Sequence, residues 1–372
     1  MTSLLYTCAP CDVAATRATA ARKVVRKPPA RRKAAGSLTV DVHCHVLTLA
    51  AEALAKPVYS PDRDHLMLFA NDITREVNRA QVVTVREHLT SVEKRLADMD
   101  RMGIDVQAIS TAPPQFYYWM DADLGRQTSR LINENLTDIA ARHPDRFAPL
   151  GTLPMQDPRL AVEEAEHCMK RLGMRGVEIC TNVNGKDLSD PSFEPVFAKL
   201  EQLGAVIFLH PNGFSEAQRL SEHYFNNVIG NPLDTSMALS HLIFGGVLDR
   251  HPKLKIIAAH GGGFIGSYPF RMDHAHGARR DCRVNIRKKP TSYLKKVFFD
   301  TIVFDHAQLR HLVNLWGADH IVAGTDYPYD MGHYEPCTFV DKATFLTRAQ
   351  KDAIKGLTAA KLLGIKPPKR RA

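Results

Sequence analysis

"LTVDVHCHVLT", Leu38–Thr48, joins a short β-branched run to two histidines one residue apart. In an extended strand, residues i and i+2 project to the same side. His43 and His45 therefore leave the end of such a strand together. In a chain with 17 histidines the pair is either half of a metal site or a coincidence. The remaining sequence has to supply the other half.

Seven further apolar runs follow at intervals that fit strands: "DVQAIS" (105–110), "RFAPLGTL" (146–153), "RGVEIC" (175–180), "AVIFLH" (205–210), "KIIAAH" (255–260), "VFFDT" (297–301) and "HIVAGTD" (320–326). Between them, apolar residues recur three and four apart, as in Val92, Leu96 and Met99. "PSFEPVFAKLEQLG" sets Pro191 and Pro195 near a helix start and Gly204 just past its end, as helix capping favours. Apolar strands alternating with helices imply a parallel sheet covered by helices. Eight such units predict an α/β fold of the (β/α)8 TIM-barrel type, in one domain over 38–365. No G-x-G-x-x-G follows the first strand, which argues against a dinucleotide fold. Residues 46–87 form a long insertion after strand one, expected to build a lid or small subdomain over the barrel mouth.

The formal charge of +9 on 372 residues suggests a polyanion partner, but its location argues otherwise. Residues 1–37 carry +7 and Lys366–Ala372 carry +4, which leaves −2 for the body. Nucleic acid is therefore not the expected partner. Residues 1–37 and 366–372 read as disordered basic extensions. The Arg-rich, acid-poor first segment keeps organellar targeting open beside a cytoplasmic reading. Seven scattered cysteines do not form a disulfide framework, and Cys8 and Cys11 lack a second pair for zinc. No apolar run is long enough to span a membrane.

The strand ends supply the missing half. Strand five ends in His210, strand six in His260 and strand eight in Asp326, and Gly or Pro follows each in "HPNG", "HGGGF" and "GTDYPY". In a barrel, the C-terminal strand ends converge on the active site. His43, His45, His210 and Asp326 would hold a borderline divalent ion with a place left for water. Taken singly, each histidine is better explained by a structural hydrogen bond; it is their repetition at strand ends that points to a metal.

These motifs resemble the amidohydrolase superfamily, in the branch of aminocarboxymuconate-semialdehyde and γ-resorcylate-type decarboxylases. The resemblance runs from Leu38 to about Asp341 through "DVHCH", "RLADMDRMGIDVQAIS", "RHPDRFAPLGTLPMQDP", "HPNG", "RHPKLKIIAAHGGG", "FRMDHA" and "GTDYPY". It implies His43, His45, His210 and Asp326 as ligands of one divalent metal, Zn²⁺ first and Mn²⁺ second. It also implies His260 as acid/base beside the metal, with Asp326 as ligand and proton carrier. Arg271 matches an arginine that holds a substrate carboxylate, in some members across a subunit interface, which implies a homodimer or higher oligomer. Two departures bear on substrate. The family's arginine from the first insertion has no in-register match in Arg75 or Arg86, and Tyr224 stands nearest where a Trp follows the strand-five histidine. Glu178 and Cys180, not lysine, end strand four, which argues against a carbamate-bridged two-metal site. Trp119, with Phe116, Tyr117 and Tyr118, is placed either to stack on a substrate or to anchor a loop. The expected activity is non-oxidative decarboxylation of a small carboxylated aromatic or muconate-type compound. Hydrolysis of a lactone or another C–O or C–N bond by metal-activated water is the alternative.

Overall fold

The computed structural model describes residues 38–366. The expectations for residues 1–37 and for the tail beyond Lys366 lie outside the described residues. Eight parallel strands form the barrel: β1 (Val40–Val46), β2 (Val106–Thr111), β3 (Leu150–Thr152), β4 (Gly176–Cys180), β5 (Val206–His210), β6 (Lys255–Ala258), β7 (Phe298–Asp300) and β8 (Ile321–Val322). β3 to β8 make a continuous parallel ladder, while β1 pairs only with β2. Two isolated bridges close the circle, Gln107 with Phe147 and Cys44 with Tyr327. Val42 N–H donates to Ala323 O at 2.9 Å and His45 N–H to Tyr327 O at 2.8 Å across the second gap. The expected barrel is therefore present, with β3 to β8 shorter than the apolar runs suggested.

Alternate strand residues fill the interior. Val40, Val42, Val106, Leu150, Phe208 and Ile257 belong to one buried cluster. Ile179, Ile207, Leu209 and Ile256 instead pack with the surrounding helices, beside Phe197 and Leu239. This two-sided burial explains why the strands read as almost continuous apolar runs. A short antiparallel hairpin, Asn182–Val183 with Lys186–Asp187, follows β4 and was not anticipated. Its signal is Asn184-Gly185, both at positive φ, the dipeptide that tight hairpin turns favour.

The insertion is helical, and its boundaries shift. β1 continues to Val46 and a helix runs Asp72–Thr90, so the inserted segment spans 47–91 rather than 46–87. Ser91 ends it by capping the next helix, Val92–Met102, through Lys94 N–H. The insertion touches loops on opposite sides of the mouth. Leu66 packs on Gly213 after β5, Asn71 N–H donates to Ser221 O, and Tyr59 meets Trp119 after β2. Among the described residues, no helix is long and apolar enough to cross a membrane.

Candidate metal centre

Strict alternation does not hold through β1. Its pairing register shifts between Asp41 and Cys44. Asp41 binds Gln107 Nε2 and the Thr325 hydroxyl, while His43 and His45 both aim Nε2 at Asp326 Oδ1, each at 3.3 Å. Cys44 lies between them and joins the packing outside the barrel. His210 arrives from β5, its ring centroid 4.8 Å from that of each β1 histidine. Asp326 comes from the turn after β8, at a φ of 55°. One donor atom from each of His43, His45, His210 and Asp326 lies within 4.8 Å of the others, and all four residues are buried.

The hydrogen bonds orient these donors. His43 Nδ1 meets Asp300 Oδ2 at 2.6 Å and His45 Nδ1 meets Thr111 O at 2.9 Å. Donation at Nδ1 leaves each Nε2 with its lone pair toward the centre. Neither Nε2, nor either ring nitrogen of His210, has a hydrogen-bond partner. Buried polar atoms rarely stay unpaired, and three imidazoles plus one carboxylate at a single point form the donor set of a divalent metal site.

Electrostatics agree with that assignment. Burial, with His43, His45 and His260 nearby, holds the His210 pKa well below its ordinary value. Burial and then His43 also lower that of His45. Burial opposes charge on His43, but Asp326 and Asp300 together outweigh it and push its pKa up to about 10. Burial is likewise outweighed at Asp326, where the nearby His43, His260 and His45 imidazoles keep the carboxyl well below the usual range. The pocket thus combines a fixed negative charge with neutral nitrogen donors at His45 and His210, while His43 must give up its proton to bind a cation.

His260 stands beside this group. Its Nε2 is 3.7 Å from Asp326 Oδ2, and its side chain is 14% exposed against 0% for His43. It too has a positive φ, 55°, and its backbone N–H donates to Asp300 Oδ2 at 3.0 Å. Asp300 also accepts from Gly261 N–H at 2.8 Å. One carboxylate therefore orients His43 and fixes the turn that carries His260. Sequence reasoning missed Asp300, although a polar residue closing the apolar "VFFDT" run was the available signal. Asp300→Asn should weaken Zn²⁺ binding about 10- to 100-fold in a calorimetric titration. Unchanged affinity would show that the His43–Asp300 bond does not position the ligand.

A second support was also missed. Buried Arg95 donates to His45 O and to Gln107 Oε1 and lies over the Tyr327 ring at 4.8 Å. Tyr327 O–H donates to Asp98 Oδ2 at 2.7 Å, and His88 Nδ1 meets the same oxygen at 2.8 Å. His88 thus links the insertion helix to the residue after Asp326.

The expected substrate contacts separate. Burial, and then the charges of Asp330 and Asp326, push the Tyr224 phenol above its ordinary value. Tyr329 is partly buried, with its ring 5.5 Å from that of His45. Trp119 instead packs between Tyr59 and Tyr117 under the Arg63 guanidinium, in the seam between insertion and β2 loop. Arg271 is exposed on the helix Phe270–Ala278 and forms no hydrogen bond or ion pair with any described residue. Asp273, its nearest acid in sequence, accepts from Thr291.

Known proteins share this arrangement of chain and fold. A 2-amino-3-carboxymuconate-6-semialdehyde decarboxylase from Dictyostelium discoideum is 36% identical over 279 residues, 74% of this chain and 77% of its own length. The crystal structure of 5-carboxyvanillate decarboxylase from Sphingomonas paucimobilis superposes with a TM-score of 0.81 at 27% identity, covering 89% of this chain and 100% of that one. The Novosphingobium aromaticivorans 5-carboxyvanillate decarboxylase, solved with manganese and 4-hydroxy-3-methoxy-5-nitrobenzoic acid, matches in fold with a TM-score of 0.79 at 24% identity, covering 89% and 97%. The sequence profile of the amidohydrolase family spans residues 40–365, from the first residue of β1 past the last helix of the barrel. A family profile covering most of the chain and a relative 36% identical over 74% of it agree, and the chain belongs to the amidohydrolase family.

Proposed function

We propose that the protein is a non-oxidative decarboxylase of a small carboxylated aromatic or muconate-type compound, holding one divalent ion on His43, His45, His210 and Asp326. The observation that carries this reading is the convergence of three imidazoles with free nitrogens, one carboxylate and His260 at one barrel mouth. Three nitrogen donors favour Zn²⁺; Mn²⁺ is the second choice, supported by its presence in the Novosphingobium enzyme.

A divalent ion there supplies fixed positive charge that orients a carboxylated ring and its oxygens. The protein residues carry the proton. His260 Nε2 and Asp326 Oδ2 form the relay, and His260 is its solvent-facing member. The proton goes to the ring carbon that bears the carboxylate. The C–C bond then breaks, its electron pair returns to the ring, and CO₂ leaves. The insertion serves as lid, excluding water from the charged intermediate.

Among the described residues Arg271 has no hydrogen-bond or ion-pair partner, and it is flanked by exposed Tyr268 and Phe270. A guanidinium ringed by aromatics suits a subunit interface, so the proposed assembly is a homodimer in which Arg271 grips a substrate carboxylate. Arg271→Ala should raise KM about tenfold or more while light scattering still reports a dimer. A monomeric wild-type protein would end that assignment.

The reaction is tested by screening the metal-loaded protein with hydroxybenzoates, carboxymuconates and pyrone lactones, scoring CO₂ and ring opening in parallel. CO₂ release supports the reading. Lactone opening without CO₂ would move the protein to the hydrolases of the family.

A further inference from the structure

Glu178 takes no part in the scheme above, yet it faces the same mouth. In the β4–β5 ladder it pairs with Phe208, whose ring lies 4.9 Å from that of His43. Neighbours in a parallel ladder project to the same face, so Glu178 points where Phe208 and His43 point. The residue is fully buried. Its Oε1 lies 3.8 Å from His45 Nδ1, beyond hydrogen-bond reach, and that nitrogen is committed to Thr111 O. The nearby Ser110 hydroxyl is committed to Cys44 O at 3.1 Å. The Ser110 hydroxyl and the Thr111 N–H lie close enough to favour its ionised form, yet neither carboxyl oxygen of Glu178 meets a donor at hydrogen-bond geometry. A buried carboxyl with both oxygens unpaired is costly to keep. It also stands outside the set of donors gathered within 4.8 Å, so the metal group does not account for it.

We infer that Glu178 reads the substrate: its carboxyl accepts a hydrogen bond from a ring hydroxyl or amino group of the compound seated over the metal group. The inference rests on the proposed function for the ligand being a carboxylated ring. It narrows that class to rings carrying a hydrogen-bond donor besides the carboxylate. A pocket with a buried acceptor discriminates against the analogue lacking the donor, because the acceptor then stays unpaired.

The test uses Zn²⁺-loaded protein and calorimetric dissociation constants for 2-hydroxybenzoate, 2-aminobenzoate and benzoate, the last lacking the donor. Wild type should prefer the two rings with the extra donor by about 10- to 100-fold. Glu178→Met should abolish the preference. Glu178→Gln, which keeps the shape and one acceptor, should retain part of it and serves alone if the Met variant does not fold. Zn²⁺ content should stay at wild-type level in both. An unchanged preference in the variants overturns the inference, as does loss of zinc, which would make Glu178 part of the metal set. Binding and CO₂ release are separate readouts: ring preference without CO₂ sinks the decarboxylase reading alone, and CO₂ release without preference sinks only the role of Glu178.

Discussion

Protein with Ala at both His43 and His45 is expected to purify without a divalent ion and to lose CO₂ release by about a thousandfold or more. Both Nε2 atoms are buried, free of hydrogen bonds and 3.3 Å from the same oxygen of Asp326. Removing them deletes two of four donors and leaves the Asp326 carboxylate buried without its main compensation. Asp326→Asn, nearly isosteric, should also lose the ion and separates ligand loss from cavity formation. Chelation of wild-type protein should reproduce both phenotypes, and added ion should reverse it. The sign of the pH effect follows from His43. Its imidazole is protonated below about pH 10 without metal, whereas binding requires the neutral ring. Metal uptake therefore releases a proton, and apparent affinity should rise about tenfold per unit between pH 6 and 9. Affinity independent of pH would show that His43 is not displaced from its proton by the ion.

Replacing His260 with Asn should leave metal content unchanged and lower kcat by about 10² to 10⁴. The asymmetry follows from position. His260 lies outside the four-donor set, yet its Nε2 approaches the one Asp326 oxygen that the β1 histidines leave free. Its left-handed φ places the ring there, and Asp300 holds the turn through two backbone N–H groups. Loss of metal together with activity would instead make His260 structural to the site. An unchanged kcat would remove it from the proton relay.

The barrel was legible because both faces of its strands are buried, which leaves long β-branched runs in the sequence. The clustering of His43, His45, His210 and Asp326 was legible for a related reason: an apolar strand ending in histidine or aspartate is conspicuous. What escaped was whatever depends on distant pairing. Asp300, Arg95 and Asp98 are ordinary charged residues in sequence, and only the fold reveals that they bind His43, the His45 carbonyl and the Tyr327 hydroxyl. His88 looked like one loop or helix histidine among many. The register shift in β1 left no compositional trace, although it separates Asp41 from the two histidines. Trp119 was half legible, since one of its two anticipated settings, loop anchoring, is the packing observed.

The central claim is that one divalent ion on these four residues is required for decarboxylation. The most direct measurement is CO₂ release from a carboxyl-labelled substrate identified by the screen, followed as chelated protein is titrated with Zn²⁺ and, separately, Mn²⁺. The account predicts almost no CO₂ before addition and a rate that rises to saturation at one ion per chain, absent in the His43→Ala, His45→Ala double variant. Full CO₂ release from the chelated protein, or equal rescue of the double variant, would contradict it.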